Sequence, residues 1–235
     1  PRPRLPAAQG AADAGASVTL AFLRTARAQA ALAALAAQEM QDDALLAQSA
    51  ALRRTFAPDE AAALLTQARL RRRAAAKFPH AGSMLFAEEP LEQATSWDVA
   101  RHRAARLHAL SPAGDFLDLG CGIGGDLLAL AQHRATTAYE IDAARLNLAA
   151  YNVATVAPPC AVTFHAADWT AVLAAGALPP AGAAFADPAR RTAQGKRVFS
   201  LHAMTPPLAA LLDLQTRVPA LAVKVAPGVR AAELP

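Results

Sequence analysis

From Ser17 to Lys77, apolar residues recur at helical intervals. Leu20 pairs with Leu23, Leu32 with Leu35, and Leu45-Leu46 with Leu52, the spacing that lines one face of an α-helix. Asp42-Asp43 stands where a helix start is expected. Pro58-Asp59-Glu60 opens another helix, with proline in the first turn and acids at the positive end of the dipole. Nothing in this stretch alternates with period two. Further on, Thr95 with Asp98 has capping-box spacing and opens a helix through Val99, Ala100 and Leu107. The loop Leu91-Glu92-Gln93-Ala94-Thr95 precedes that cap. These patterns predict a flexible tail over 1–16 and a helical domain with a lid loop over 17–110.

At Asp115 the pattern changes. In DFLDLGCGIGGDLLALA a short apolar run (Phe116, Leu117, Leu119) enters a turn holding Gly120, Gly122, Gly124 and Gly125. A second apolar run at helical spacing leaves it (Leu127, Leu128, Leu130, Ala131). Strand, glycine turn and helix make the opening unit of a doubly wound α/β domain. The segments TTAYE, VTFHAADW, AAFADPARR and ALAVKVAPG then supply four more strands, with Asp168 just past the end of the third and Asp187 at the exit of the fourth. Helical runs through Leu146, Ala149 and Val153 and through MTPPLAALLDL separate some of them. The expected fold class is therefore α/β, a Rossmann-like parallel sheet over 111–235 behind the helical domain. A sheet of this class normally continues past five strands, so either the sheet is short or, as the resemblance below favours, it is truncated after the fifth with its C-terminal part left off.

Composition changes this picture little. Hydrophobic residues make up 54% of the 235, but alanine supplies much of that, and no apolar run reaches the ~18 residues of a spanning helix. PRPRLPAAQGAADAG lacks the apolar centre of a signal peptide, so no membrane partner and a cytoplasmic location are expected. Cys121 and Cys160 suggest neither a disulfide framework nor a metal site. The net charge of +4 is mild, so its distribution matters more than its sum. Arg69, Arg71, Arg72, Arg73 and Lys77 crowd the end of one predicted helix. They are either a solvated face helping the C-terminal dipole or a surface for a phosphate backbone.

The glycine spacing alone is ambiguous, since Gly120, Gly122 and Gly125 satisfy G-x-G-x-x-G, the weak dinucleotide fingerprint. Asp118 decides against a dinucleotide. A carboxylate beside a pyrophosphate repels it, whereas it attracts a ligand bearing an ammonium. S-adenosylmethionine has an amino-acid group and a sulfonium and no phosphate. Glu140 ends the second strand twenty residues past Gly120, about where an acid takes the ribose hydroxyls; Asp142 is the adjacent candidate. Asp168 follows the third strand and is either an adenine acceptor or a helix cap, with Trp169 or Ile141 against the ring. Asp187-Pro188 leaves the fourth strand at the sheet's ligand edge and runs into the cation-rich RRTAQGKRVFS.

DLGCGIGGD, Glu140, Asp168 and the strand ending in Asp-Pro resemble a class I S-adenosylmethionine-dependent methyltransferase. KFP, LEQAT and VARHRA, followed by DLGCGIGGDLLALA, ADPARR and VKVAPG, resemble more closely the bacterial methyltransferases with a C-terminal THUMP-like domain, similar in turn to trimethylguanosine synthases. The resemblance runs from about Ala61 to Gly228. It implies that Asp118, Gly120, Gly122 and Gly124 hold the methionine end of the cofactor and Thr95 its carboxylate. Glu140 would take the ribose and Asp168 the adenine. Asp187-Pro188 matches the start of the family's Asp-Pro-Pro-aromatic motif, with Ala189 and Arg190 in place of its last two residues. No ring is then offered to a flipped base, and Arg190 is suited to a phosphate. The implied activity is in-line methyl transfer, with RNA as partner through Arg69, Arg72, Arg73, Lys77, Arg190 and Arg191. The nucleophile would be a base nitrogen, with Asp187, Pro188 and Arg190 as catalytic residues. A methyltransferase acting on a small molecule or protein, and a non-catalytic RNA-binding module, are the alternatives.

Overall fold

The structure is a computed structural model that describes residues 19–38, 42–188, 201, 204–226 and 228–233. The chain divides after Gln93 into two compact units.

The first unit is helical. Helix α1 (Ala26–Ala36) is capped by Thr25, whose Oγ1 accepts from the Ala28 N–H at 3.2 Å. It buries Ala28, Leu32 and Leu35. Helix α2 covers Asp42–Leu52 and α3 Pro58–Ala74. At the start of α3 the Ala57 N–H donates to Glu60 Oε2 at 3.0 Å, which is half of a capping box. The loop after α3 buries Phe78, Met84, Leu85 and Phe86. Two polar side chains of α3 hold that loop. Gln67 exchanges hydrogen bonds with the Phe86 backbone at 2.8 and 2.9 Å. Arg71 Nε donates to the Met84 carbonyl at 2.8 Å, and its Nη2 donates to Gln29 Oε1 at 2.8 Å and the Ser83 carbonyl at 3.2 Å. The unit ends in the short helix α4 (Glu88–Gln93).

The second unit opens with α5 (Trp97–Leu110), followed by β1 (Phe116–Leu119), α6 (Gly125–Leu130) and β2 (Thr136–Glu140). Next come α7 (Ala143–Val156), β3 (Val162–Ala166), α8 (Trp169–Ala174), β4 (Ala183–Ala186), α9 (Leu208–Gln215) and β5 (Ala220–Val223). The five strands form one sheet in the order β3-β2-β1-β4-β5, with every pairing parallel. The expected doubly wound class is therefore the observed one. On one face Leu117, Leu119, Ala184 and Ala186 pack with Trp169 and Leu173 of α8 and Leu211 and Leu214 of α9. On the other, Phe116, Ala183, Phe185 and Ala220 pack with Ala100, Ala104 and Leu107 of α5 and with Ala129 and Leu130 of α6.

Two expectations are corrected. Helix α5 was expected in the helical domain, with a boundary at residue 110. Its apolar stripe instead lies on the sheet, and the units divide at Gln93. The N-cap of α5 is Ser96, without a side-chain cap bond. Thr95 is turned inward and buried.

Candidate functional site

The strand order reverses between β1 and β4, so the ligand crevice of this architecture lies at their carboxyl ends. The glycine turn lines it. Gly120 and Cys121 both donate to the Tyr139 carbonyl, at 2.9 and 3.1 Å, which draws the turn over the end of β2. Gly120 has φ +95°, and a Cβ there would meet the Asp187 carbonyl oxygen at 3.1 Å. The turn and the exit of β4 are thus packed backbone to backbone. Gly122, with φ +54°, faces open space, where a ligand can approach the bare backbone. Gly124, with φ +89°, caps α6 and lies against Ala149 of α7.

Asp118 lies beneath this turn. Its side chain shares the α5 and α6 face of β1, beside Ala138 of β2 and Phe185 of β4. It is 0% exposed, and among the described residues neither carboxylate oxygen has a hydrogen-bond partner. A buried unsatisfied carboxylate is costly. Burial pushes its pKa well above the usual carboxylate value, and Asp126, Asp187 and Glu140 add to the rise while Arg103 opposes it.

Arg103 of α5 pairs with Asp126 of α6 in a largely buried ion pair, 18% and 11% exposed. Its guanidinium lies 4.2 Å from the Phe185 ring centroid. Burial raises the Asp126 pKa; Arg103, the neighbouring Thr95 hydroxyl and Lys224 oppose the rise. That hydroxyl is itself buried and makes no hydrogen bond of ordinary geometry.

Glu140 closes the other side. Its carboxylate accepts from the Gly122 N–H at 2.9 Å and the Asp142 N–H at 3.0 Å, so the acid at the end of β2 fixes the glycine turn. Asp142 is the N-cap of α7, accepting from Ala144 and Arg145. Ile141 between them is 73% exposed. Asp168 is the N-cap of α8, its Oδ1 accepting from the Thr170 N–H and hydroxyl at 2.9 and 2.7 Å. Trp169 is in the core. Of the two residues considered for covering a ring, only Ile141 has a face to offer.

Asp187 follows β4 and is ion-paired with Lys224, which follows β5, at 2.7 Å. Pro188 is buried. Ala189, Arg190 and Arg191 lie outside the described residues, so the catalytic expectation for Arg190 is carried by the sequence alone. Arg103, Asp126 and Lys224 did not figure among the expected site residues. Arg103 sits three residues after Ala100 and four before Leu107, on the stripe that α5 buries; that phase was the available signal. Asp126 follows the last glycine of the turn directly. Nothing along the chain foretells the Lys224 pairing, which depends on β4 and β5 being neighbours.

The basic run at the end of α3 and just past it holds too many cations for all to find carboxylates nearby, and its hydrogen bonds run mainly to backbone carbonyls. Arg72 donates to the Leu35 and Gln38 carbonyls at the end of α1. Arg73 pairs with Glu88 at 2.9 Å and Glu92 at 3.2 Å. Lys77 Nζ donates to the Leu91 and Glu92 carbonyls at 2.8 and 2.9 Å. Arg69 is exposed. Among the described residues no three His, Cys, Asp or Glu side chains are grouped to hold a metal ion. Nor is any helix among them long and apolar enough to cross a membrane.

Residues 16–74 match a family model described as a domain of unknown function, DUF8688. Two curated proteins from strains of Mycobacterium tuberculosis, each named an uncharacterized S-adenosylmethionine-dependent methyltransferase, are 38% identical over 183 residues, which is 73% of this chain and 46% of theirs. The chain thus spans about half the length of these relatives. The crystal structure of a putative methyltransferase from Porphyromonas gingivalis superposes with a TM-score of 0.60 at 17% identity, over 82% of this chain and 51% of that one. That likeness establishes the fold.

Proposed function

We propose that the second unit binds S-adenosylmethionine on the turn Gly120–Gly124 and belongs to an S-adenosylmethionine-dependent methyltransferase. The observation that carries this is Asp118: a completely buried carboxylate with both oxygens unpartnered, under a turn whose Gly122 opens outward. Such a group calls for a cationic hydrogen-bond donor. A pyrophosphate would face Asp118, Asp126, Glu140 and Asp187 together. The names of the curated relatives and the family resemblance, including the THUMP-like branch, agree with this reading.

Within it, Asp118 accepts from the ligand's ammonium. The Thr95 hydroxyl, free of an ordinary hydrogen bond, donates to the ligand's carboxylate. Glu140 holds two backbone N–H groups and retains lone pairs for a ribose hydroxyl. Ile141 lies against the adenine ring, with Asp168 at its edge. When bound, the cofactor supplies a methyl group already activated on a sulfonium. The protein's part is alignment of the incoming nucleophile. Asp187, ion-paired with Lys224, accepts an N–H or O–H bond from that nucleophile at the β4 edge, next to Pro188.

We further propose a nitrogen acceptor, because loss of its proton to a carboxylate discharges the cation left by methyl transfer. RNA as its carrier rests on Arg69, Arg190 and Arg191. A small-molecule acceptor is favoured by the internal engagement of Arg72, Arg73 and Lys77. Incubating the chain with methyl-labelled cofactor and separate RNA and small-molecule fractions of a cell extract tests both. Label in RNA is expected on the RNA reading, and label only in the small-molecule fraction would overturn it. Absence of cofactor binding by calorimetry would overturn the methyltransferase reading itself.

A further inference from the structure

We propose that Arg103 is a positioning residue for the cofactor's amino-acid end: by pairing with Asp126 and lying across Phe185, it leaves Asp118 as the acid of that pocket presented to an ammonium. This rests on the reading of Asp118 given under the proposed function.

The geometry begins with α5, which carries Arg103 between Ala100, Ala104 and Leu107 on the stripe packed against the sheet. Its guanidinium meets the Phe185 face at 4.2 Å, and Phe185 is the register partner of Asp118 across β1 and β4. The cation is therefore stacked on the residue beside Asp118 while its N–H groups are directed to Asp126. A planar guanidinium suits this double duty, stacking on a ring and bonding in its own plane. The buried Asp118 and the largely buried Asp126 thus both lie near the Arg103 guanidinium, and its N–H groups go to Asp126.

Every neighbouring element contributes charge to the balance. Asp126 from α6, Asp187 from the exit of β4 and Glu140 from β2 all disfavour ionisation of Asp118, and Arg103 from α5 favours it. Lys224, beyond β5, acts on Asp126 and pairs with Asp187. Removing Arg103 takes from Asp126 its paired cation and from Asp118 the α5 charge that favours its ionisation, so the proton is held more firmly in this pocket. A protonated Asp118 cannot form a charge-assisted bond to an ammonium. Arg103 acts through its neighbours, without touching the ligand. Removing both members of the pair should therefore restore what removing one destroys.

The test is equilibrium binding of S-adenosylmethionine and S-adenosylhomocysteine to the full chain from about pH 5 to 9. The variants are Arg103→Met, Arg103→Lys, Asp126→Asn and the double variant Arg103→Met with Asp126→Asn. Arg103→Met is expected to weaken binding about 30-fold near neutrality, on the scale of one charge-assisted hydrogen bond, and to move the rise of affinity with pH upward. Arg103→Lys is expected to recover part of both. The double variant should bind within about threefold of the unaltered chain, since neither charge of the pair remains. If Arg103→Met alone does not fold, the double and lysine variants, which do not leave Asp126 as a carboxylate without its cation, carry the comparison. A double variant as weak as Arg103→Met, or an Arg103→Met with unchanged affinity and pH profile, would overturn the proposal. An unaltered chain that binds neither ligand at any pH would remove the proposed function along with it.

Discussion

At the end of α3 and just past it, the cations Arg71, Arg72, Arg73 and Lys77 each reach acceptors inside their own unit, in most cases backbone carbonyls. Under the glycine turn of the second unit, Asp118 reaches none among the described residues, although it is the more deeply buried. Along the chain the first cluster is the more conspicuous, five cations in nine residues, and the second is a single letter. In the fold their meanings reverse. A long cationic side chain can search for carbonyls left over at helix ends, so a dense basic run is compatible with a purely structural role. A short carboxylate at the end of a central strand cannot search, so it keeps its proton or takes a partner brought to it.

The largest expected effect that separates the two regions is on stability. Arg71→Met strips donors from the Met84 and Ser83 carbonyls and from Gln29. It should destabilise the chain by about 3 kcal/mol in denaturant unfolding. A loss below about 1 kcal/mol would mean that the buried cation is not what holds that loop.

Asp118→Asn should behave in the opposite way, with an effect that depends on pH. The folded chain keeps a proton on Asp118 above the unfolded carboxylate pKa of about 3.9, where the unfolded chain has lost it. Native stability from this group is therefore fully present below that value and declines as pH rises towards the raised folded pKa. The asparagine variant lacks this decline. The stability difference should thus grow in its favour by up to ~1.4 kcal/mol per pH unit through that window. Parallel pH profiles for the two proteins would show that Asp118 has a partner after all.

The smallest effect belongs to the exposed pairs of Arg73 with Glu88 and Glu92, whose side chains are 43%, 59% and 56% exposed. Arg73→Ala should cost about 0.5 kcal/mol or less, and less still at high salt. A larger, salt-insensitive loss would place Arg73 with Arg71 as a structural cation.

The fold was legible because its cues are local. Periodicity marked the helices, and the turn DLGCGIGGD marked the first crossover. Each expected strand appears within a residue or two of its apolar run. The positions of Asp118 and Glu140 beside the glycine turn were legible for the same reason, since strand ends next to glycine turns can be located by spacing. What could not be read was pairing across space. The Asp187 and Lys224 ion pair depends on β4 and β5 lying side by side. The Arg103 and Asp126 pair depends on α5 packing with the sheet, whereas the chain pattern assigned α5 to the helical domain. Thr95 was read as a cap because capping boxes are defined by spacing alone, yet its hydroxyl lies next to Asp126. Asp168 shows the converse: the same letters suit a cap or a ligand contact, and in the fold its Oδ1 caps α8, which is compatible with Oδ2 accepting from a ligand.

The most direct measurement is calorimetric titration of the unaltered chain and of Asp118→Asn with S-adenosylmethionine and, separately, with a nicotinamide dinucleotide. The unaltered chain is expected to bind the former and not the latter, with the asparagine variant weakened about 100-fold while melting no lower than its parent. Equal affinity in the two proteins, or a dinucleotide held more tightly than the sulfonium ligand, would contradict the assignment of Asp118 as the acid that waits for an ammonium.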